Sequence, residues 1–364
     1  MKITVNSTAL AKALRAAGRA VPNKTTLPVL ECFRLEAGAT RLVVTASNLD
    51  ITVKVPVTLL GIAEDGVCAI PAKKFTEHVC LLPDCEVTLE TKEGTMCISW
   101  AKGRNIMQMM DASDYPDIQE PDGSMMMNMP AQQLLQALNI TIPACAKDEM
   151  RPQLCGVHFD ILDDRTRLVA SDSKTLTYDT VESTTGRPDN FTVPTTAASL
   201  LKSSIRRESA IVRLTHDEKS VCFNLGDIII QTRKVVGKYP NYMSVIPKNS
   251  NGVAVTDKQG LIGSLRRLAA CSDRLKMTMT PLSILFTATN TETGSAAEED
   301  CACNYDGREM AIGINPHSFL DILENVASDE IHLAVSDPKR AIVATTSEHG
   351  ADMSVSLFMP VMLA

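Results

Sequence analysis

The chain has 364 residues, is 45% hydrophobic and 22% charged, and carries a formal net charge of −7. That length suits two or three domains, each with its own core, and no apolar run approaches the ~18 residues a membrane helix needs. An acidic surface repels nucleic acid, so contact with DNA requires basic residues gathered in one place.

The opening "MKITVNSTAL" lacks the long apolar core of a secretion signal. The eleven cysteines are odd in number, scattered from Cys32 to Cys303, and show no paired zinc spacing. They fit reduced, buried thiols of a cytoplasmic protein.

In chain order, an amphipathic helix is predicted near Val5, in "VNSTALAKAL". Lys12, Arg15 and Arg19 fall on one stripe, with Leu10, Leu14 and Ala17 opposite. From there to Lys24 the segment holds four basic residues and no acidic one. "VTASNLD" (44 to 50) reads as a strand running into a turn. A second helix begins at Pro71, in "IPAKKFTEHV", because Pro in a first turn loses no needed N–H. "EVTLETKEGTMCISWAKGRNIMQMM" then alternates like an antiparallel meander. "DYPDIQEPDGSMMMN" has linker composition, and the methionines of "SMMMNM" (124 to 129) read as gap-fillers, with no metal assigned.

The same order then recurs. A helix is predicted near Met129, an echo "VASDSK" follows at 169 to 174, and a helix starts at Pro194 in "VPTTAASLLK". Lys202 and Arg206 there oppose Leu200, Leu201 and Ile205, and "AIVRLTHDEKSVCFNLGDIIIQTRKVV" is a second meander. After the linker-like "KYPNYMSVIPKNSNG" comes a helix near Val255, with Leu261, Leu265 and Leu268 on one face and Arg266, Arg267 and Arg274 pointing away. The third echo is "FTATNTE" (286 to 292); Asn315 caps a sixth helix, and "EIHLAVSDPKRAIVATTSEHGADMSVSLFMP" is a third meander. Ala46, Ala170 and Ala288 of the echoes recur at about 120 residues, the mark of an internal repeat. The chain therefore reads as three tandem α+β units, helices packed on antiparallel sheets, spanning 1–121, 122–247 and 248–364.

Basic helix faces in all three units of an acidic chain point to a shared surface for phosphates, which position a protein without reading sequence. No basic tail, zinc finger or aromatic platform is present to read bases. Phosphate-loop, zinc-protease, nucleophile-elbow and dinucleotide motifs are absent, and the six histidines lack ligand-like spacing. The expectation is a non-enzyme without cofactor or metal. The rivals are a peptide-binding scaffold without DNA encirclement and an enzyme whose site is split among the repeats.

Three such units, with "TTLPVL" (25 to 30), "IPAKKF" (70 to 75), "GKYPNY" (237 to 242) and "LFMPVML" (357 to 363) in this order, resemble one family over the whole chain. It is the beta subunit of bacterial DNA polymerase III, the sliding clamp. The resemblance implies a DNA replication processivity factor in the cytoplasm: a head-to-tail homodimer of six units closing a ring around duplex DNA. The DNA contacts it implies are Lys24 and Lys73; Lys12, Arg15, Arg19, Lys202, Arg206 and Arg266 come from the helix faces. Thr195 and Thr196 stand where relatives often carry basic residues, a loss that Lys202 and Arg206 offset.

The resemblance also implies a pocket for short peptides of the DNA polymerase III alpha subunit, clamp-loader subunits and repair proteins. Its matching positions are Leu154, Ser171, Ser173, Lys174, Thr175 and Leu176, then Pro240, Ser244 and Val245, then Leu357, Met359, Pro360, Val361 and Met362. Lys174, Thr175 and Ser244 replace residues that some relatives carry as His or Arg. Ring closure is implied through an edge strand holding Ile106, Met107 and Met109, and through the end of a third-unit helix at Ala270 and Cys271.

Overall fold

The computed structural model describes residues 1–364 except 117–119, 122–124, 149, 184–186, 291–293, 347–353 and 364. Six α-helices occur among the described residues: α1 (Ser7–Ala17), α2 (Ala72–Cys80), α3 (Ala131–Thr141), α4 (Thr195–Ser204), α5 (Lys258–Ala269) and α6 (Pro316–Leu323). Each unit's first helix starts a few residues later than its sequence signal, because a strand precedes it: Lys2–Asn6, Met125–Pro130 and Gly252–Asp257. The alternation of buried Ile3 and Val5, or of Met127 and Met129, has a period of two and therefore belongs to a strand. Met126 points outward from the same strand.

Side chains fix the helix starts. Asn6 accepts from the Ala9 N–H at 2.9 Å, and Asn315 accepts from the Ser318 N–H at 3.2 Å. Leu10, Leu14 and Ala17 of α1 are buried, as are Leu261, Leu265 and Leu268 of α5. Two predicted placements shift: Arg274 lies in the turn beyond α5, and Ile205 and Arg206 lie just past the end of α4.

The contacts divide the chain into two compact units, Met1–Asn128 with Ser203–Lys234, and Met129–Lys202 with Val235–Ala364. These units cut across the sequence repeats because backbone hydrogen bonds do. In the first unit, Ile229–Arg233 from the second repeat pairs with Ile51–Thr58 from the first, Ile230 opposite Val53. In the second, Ser354–Phe358 from the third repeat pairs with Thr175–Glu182 from the second, Leu357 opposite Leu176.

The first unit holds an eight-stranded sheet and a five-stranded one, ordered Gly61–Glu64, Lys2–Asn6, Glu86–Lys92, Thr95–Trp100, Gly103–Gln108. Its Glu93-Gly94 hairpin has φ of 41° and 79°, the doubly left-handed turn that Gly makes accessible. The second unit holds a twelve-stranded sheet.

The echo is a hairpin built the same way twice. Leu49 and Ser173, non-glycine residues, both have φ 77° at the tip. In the first copy Asn48 Oδ1 accepts from the N–H groups of Asp50 (3.1 Å) and Ile51 (2.7 Å). In the second, Asp172 Oδ1 accepts from those of Lys174 (2.8 Å) and Thr175 (2.6 Å). An acceptor side chain three residues before the strand resumes is what lets the backbone hold this shape. Thr291 and Glu292 of the third copy lie outside the described residues.

All eleven cysteines are free, five buried and six half-buried. Burial pushes the thiols of Cys32, Cys145 and Cys222 up to about 11 and that of Cys68 to about 12, which leaves them unreactive. Among the described residues no group of three His, Cys, Asp or Glu could hold a metal, and no helix is long and apolar enough to cross a membrane. His349 lies outside the described residues.

Candidate nucleic-acid interface and partner cleft

The polar stripe of α1 presents Lys12, Arg15 and Arg19 to solvent. With Ser203, Ser204 and Arg206 they line a cavity of about 390 Å³. Arg19 Nη1 donates to Ser203 Oγ at 2.8 Å, and Arg206 pairs with Asp227 at 2.7 Å. Arg15 also borders a second, larger cavity of about 880 Å³, together with Lys73 and Lys74 at the start of α2. Phe75 buries the opposite side of that helix, which is why "IPAKKF" aims its lysines outward. Lys24 is exposed in the loop before Val29 and Leu30, which pack with Tyr115.

Among the described residues Lys12, Arg15, Lys24, Lys73 and Lys202 have no ion-pair partner. The third-repeat arginines differ. Arg266 pairs with Glu324 at 2.9 Å and Arg267 with Glu299 at 2.5 Å, so α5 shows a basic stripe already neutralised from within. Thr195 is committed to structure: its hydroxyl donates to the Cys155 carbonyl at 2.9 Å. Thr196 is exposed.

The sequence-predicted cleft residues converge within the second compact unit. Leu154, Leu176 and Leu357 share one buried cluster with Val169, Tyr178, Tyr239, Tyr242, Ala341, Val343 and Val355. "GKYPNY" contributes both tyrosines: Tyr239 stacks on His158 at 4.2 Å, and the Tyr242 hydroxyl donates to the Asp160 carboxylate. Around the cluster lies an exposed apolar rim of Val245, Met359 and Met362, at 56%, 47% and 77% exposure, with Pro240 and Ser244 beside it. Pro360 and Val361 are half-buried.

Two backbone bonds fasten this rim. The Met359 N–H donates to the Lys174 carbonyl at 2.8 Å, and the Val361 N–H to the Gly313 carbonyl at 2.8 Å. The Ser171 hydroxyl donates to the Thr175 carbonyl at 2.7 Å, and Arg151 Nη1 reaches Ser173 Oγ at 2.6 Å. Thr175 is buried, its hydroxyl on Asp172 at 2.9 Å, while Lys174 is exposed. Sequence reading missed Arg151, Arg167, Met243, Tyr178, Ala341 and Val343; only spatial neighbourhood marks them out. An apolar floor with exposed apolar edges and a few polar groups suits an extended peptide with hydrophobic anchors.

Gly103–Gln108 ends its sheet, with Ile106 exposed and Met107 and Met109 half-buried. The predicted third-repeat counterpart lies beside the start of the strand Ser295–Tyr305, with Cys271 Sγ 3.7 Å from Ser295 Oγ. Ala270 and Cys271 sit in the turn after α5, and Leu275–Met279 beyond them is paired on both sides. Among the described residues, 295–302 of Ser295–Tyr305 pair on one side, along Ser283–Asn290, while 303–305 also bond a second neighbour, Gly252–Asp257, so the first part of this strand leaves an open edge. Long strands can change partners along their length, which a reading of single segments does not reveal.

Repeated sheet-and-helix units with basic helix faces, and an apolar cluster at the junction of the second and third repeats, are the features of a clamp-type protein. The family descriptions DNA polymerase III beta subunit N-terminal, central and C-terminal domain match residues 1–119, 128–241 and 243–362. The chain belongs to the DNA polymerase III beta subunit family. It is 25% identical to the beta sliding clamp of Pseudomonas putida over 370 residues, covering 100% of both, and 26% identical to that of Synechococcus elongatus over 376 residues, again covering 100% of both. Among solved structures it is similar to the Pseudomonas aeruginosa DnaN sliding clamp bound to griselimycin, with TM-score 0.95 and 24% identity over 100% of each chain. The Bacillus subtilis DNA polymerase sliding clamp gives TM-score 0.95 at 22% identity, also over 100% of each chain.

Proposed function

We propose that this member of the family is a non-enzymatic processivity factor, a ring of two copies that encircles duplex DNA and tethers partners through one cleft per chain. The observation that carries the DNA half is the unneutralised row Lys12, Arg15, Lys24 and Lys73 in an acidic protein. Contacts of that kind hold phosphates loosely and without sequence preference, so a closed ring retains DNA by topology while sliding freely. The cleft around Leu154, Leu176 and Leu357 would take peptides of the DNA polymerase III alpha subunit, clamp-loader subunits and other replication and repair proteins. Griselimycin, bound by the P. aeruginosa relative, is a proposed ligand of the same cleft.

For ring closure the edges Gly103–Gln108 and 295–302 are the natural pair. Arg104 on the first and Glu298 and Asp300 on the second favour association between different edges over self-pairing of either. The test is retention on nicked circular DNA before and after linearisation, with the clamp loader present. The reading requires retention on the circle, rapid loss from free ends, and poor loading of K12E/R15E; retention on circles and linear DNA alike would sink it.

A further inference from the structure

We infer that the partner cleft contains a methionine-oxidation site at Met243, with Arg167 holding the oxidised form, an inference that rests on the cleft reading above. Met243 lies in the 3-10 turn Tyr242–Val245 and is 43% exposed, while its neighbour Tyr242 is part of the buried cluster. Its sulfur is 3.9 Å from Arg167 Nη1. The same guanidinium stands 5.4 Å from the Tyr178 ring centre and reaches the Tyr242 hydroxyl. Among the described residues no carboxylate pairs with Arg167, and its buried Nε has no hydrogen-bond partner. A permanent cation with donors to spare therefore faces a thioether, one of the weakest acceptors a protein has.

One oxygen atom changes that pairing. The Met243 sulfur lone pair attacks an oxygen of hydrogen peroxide; the S–O bond forms, the O–O bond breaks, sulfur gives up two electrons, and the second oxygen leaves as water once the proton has transferred. Arg167 is placed to stabilise the charge that develops on the departing oxygen and then to donate to the sulfoxide. The product is polar and fastened at the cleft edge, where an apolar anchor would otherwise settle. Met359 and Met362 on the same rim can be oxidised too, whereas the buried Met277 and Met279 are out of reach. Sulfoxide reductases restore the thioether, so the change is reversible and would release partners under oxidant stress.

The test treats the purified protein with graded hydrogen peroxide. It reads sulfoxide at each methionine by mass mapping and griselimycin affinity on the same samples, before and after sulfoxide reductase. Affinity is expected to fall roughly tenfold as Met243 is oxidised and to recover on reduction. M243L, compared with itself, should lose less. R167Q should slow oxidation of Met243 relative to Met362, which serves as internal reference. If fully oxidised Met243 leaves affinity where it was, the inference is overturned and the cleft reading stands. If untreated protein does not bind griselimycin, both fall.

Discussion

Arg266 on α5 is bonded twice to the same oxygen of Glu324, from Nε at 3.0 Å and from Nη2 at 2.9 Å. Lys12 and Arg15, on the corresponding helix of the first repeat, have no such partner among the described residues. The two helices carry similar basic stripes, but only one has charge left over for phosphates.

The consequence is measurable as a salt dependence. Glu324→Gln should free Arg266 and steepen the slope of log K against log salt for DNA binding by about 1, the worth of one additional phosphate contact. Arg266→Glu should change DNA retention little, and K12E/R15E strongly. Equal losses from R266E and R15E would show that the ion pair does not persist on DNA.

The twin hairpins separate folding from binding. Asn48→Ala and Asp172→Ala each remove a side-chain acceptor for two backbone N–H groups, and each should cost about 1–2 kcal/mol in urea unfolding. Only the second touches the cleft, since the Lys174 carbonyl it positions holds Met359. D172A should therefore weaken griselimycin binding while N48A leaves it intact.

Two buried groups give opposed pH responses. Burial raises the Asp179 carboxyl to about 6, so its contribution is fully present below pH 3.8 and is lost as pH rises through 6. Burial lowers His158, stacked on Tyr239, to about 4, so its contribution is present above pH 6.5 and is lost as pH falls through 4. Each is worth about 3 kcal/mol, and between pH 4 and 6 they offset one another. Asp179→Asn removes the first, so urea midpoints of that variant should climb steadily from pH 4 to 6.5 and exceed the parent's at pH 7.

Floor and rim of the cleft should also part company. Leu357 is 3% exposed, and Leu357→Ala should cost about 2–5 kcal/mol of stability along with binding. Met362→Ala, at an exposed position, should weaken binding while unfolding stays within about 0.5 kcal/mol of the parent.

What the sequence made legible was periodic. The first two echoes, the six helices and the apolar faces of α1 and α5 follow from local spacing, and the structure keeps them. The strands before α1, α3 and α5 were hidden because Val5, Met129 and Val255 fit a helix pattern as readily as a two-residue alternation. The neutralisation of Arg266 was not legible either, because Glu324 belongs to another helix and nothing local distinguishes a paired arginine from a free one. The same holds for the cleft. Leu154, Leu176 and Leu357 each look like ordinary core residues, and only the family resemblance brought them together before the sheet did. The compact units likewise cut across the repeats because Ile229–Arg233 hydrogen-bonds to the first repeat, a pairing no segment announces by itself.

Gly313 shows how far the cleft's dependencies reach. It lies in the strand Met310–Ile314, where a Cβ would collide with the Val361 carbonyl oxygen, while its own carbonyl holds the Val361 N–H. In genetic terms position 313 belongs to the cleft without touching anything bound there. A lesion at this glycine would be scored as a partner-binding mutant, would map to a strand with no partner nearby, and would find its suppressors in the tail from Met359 to Met362.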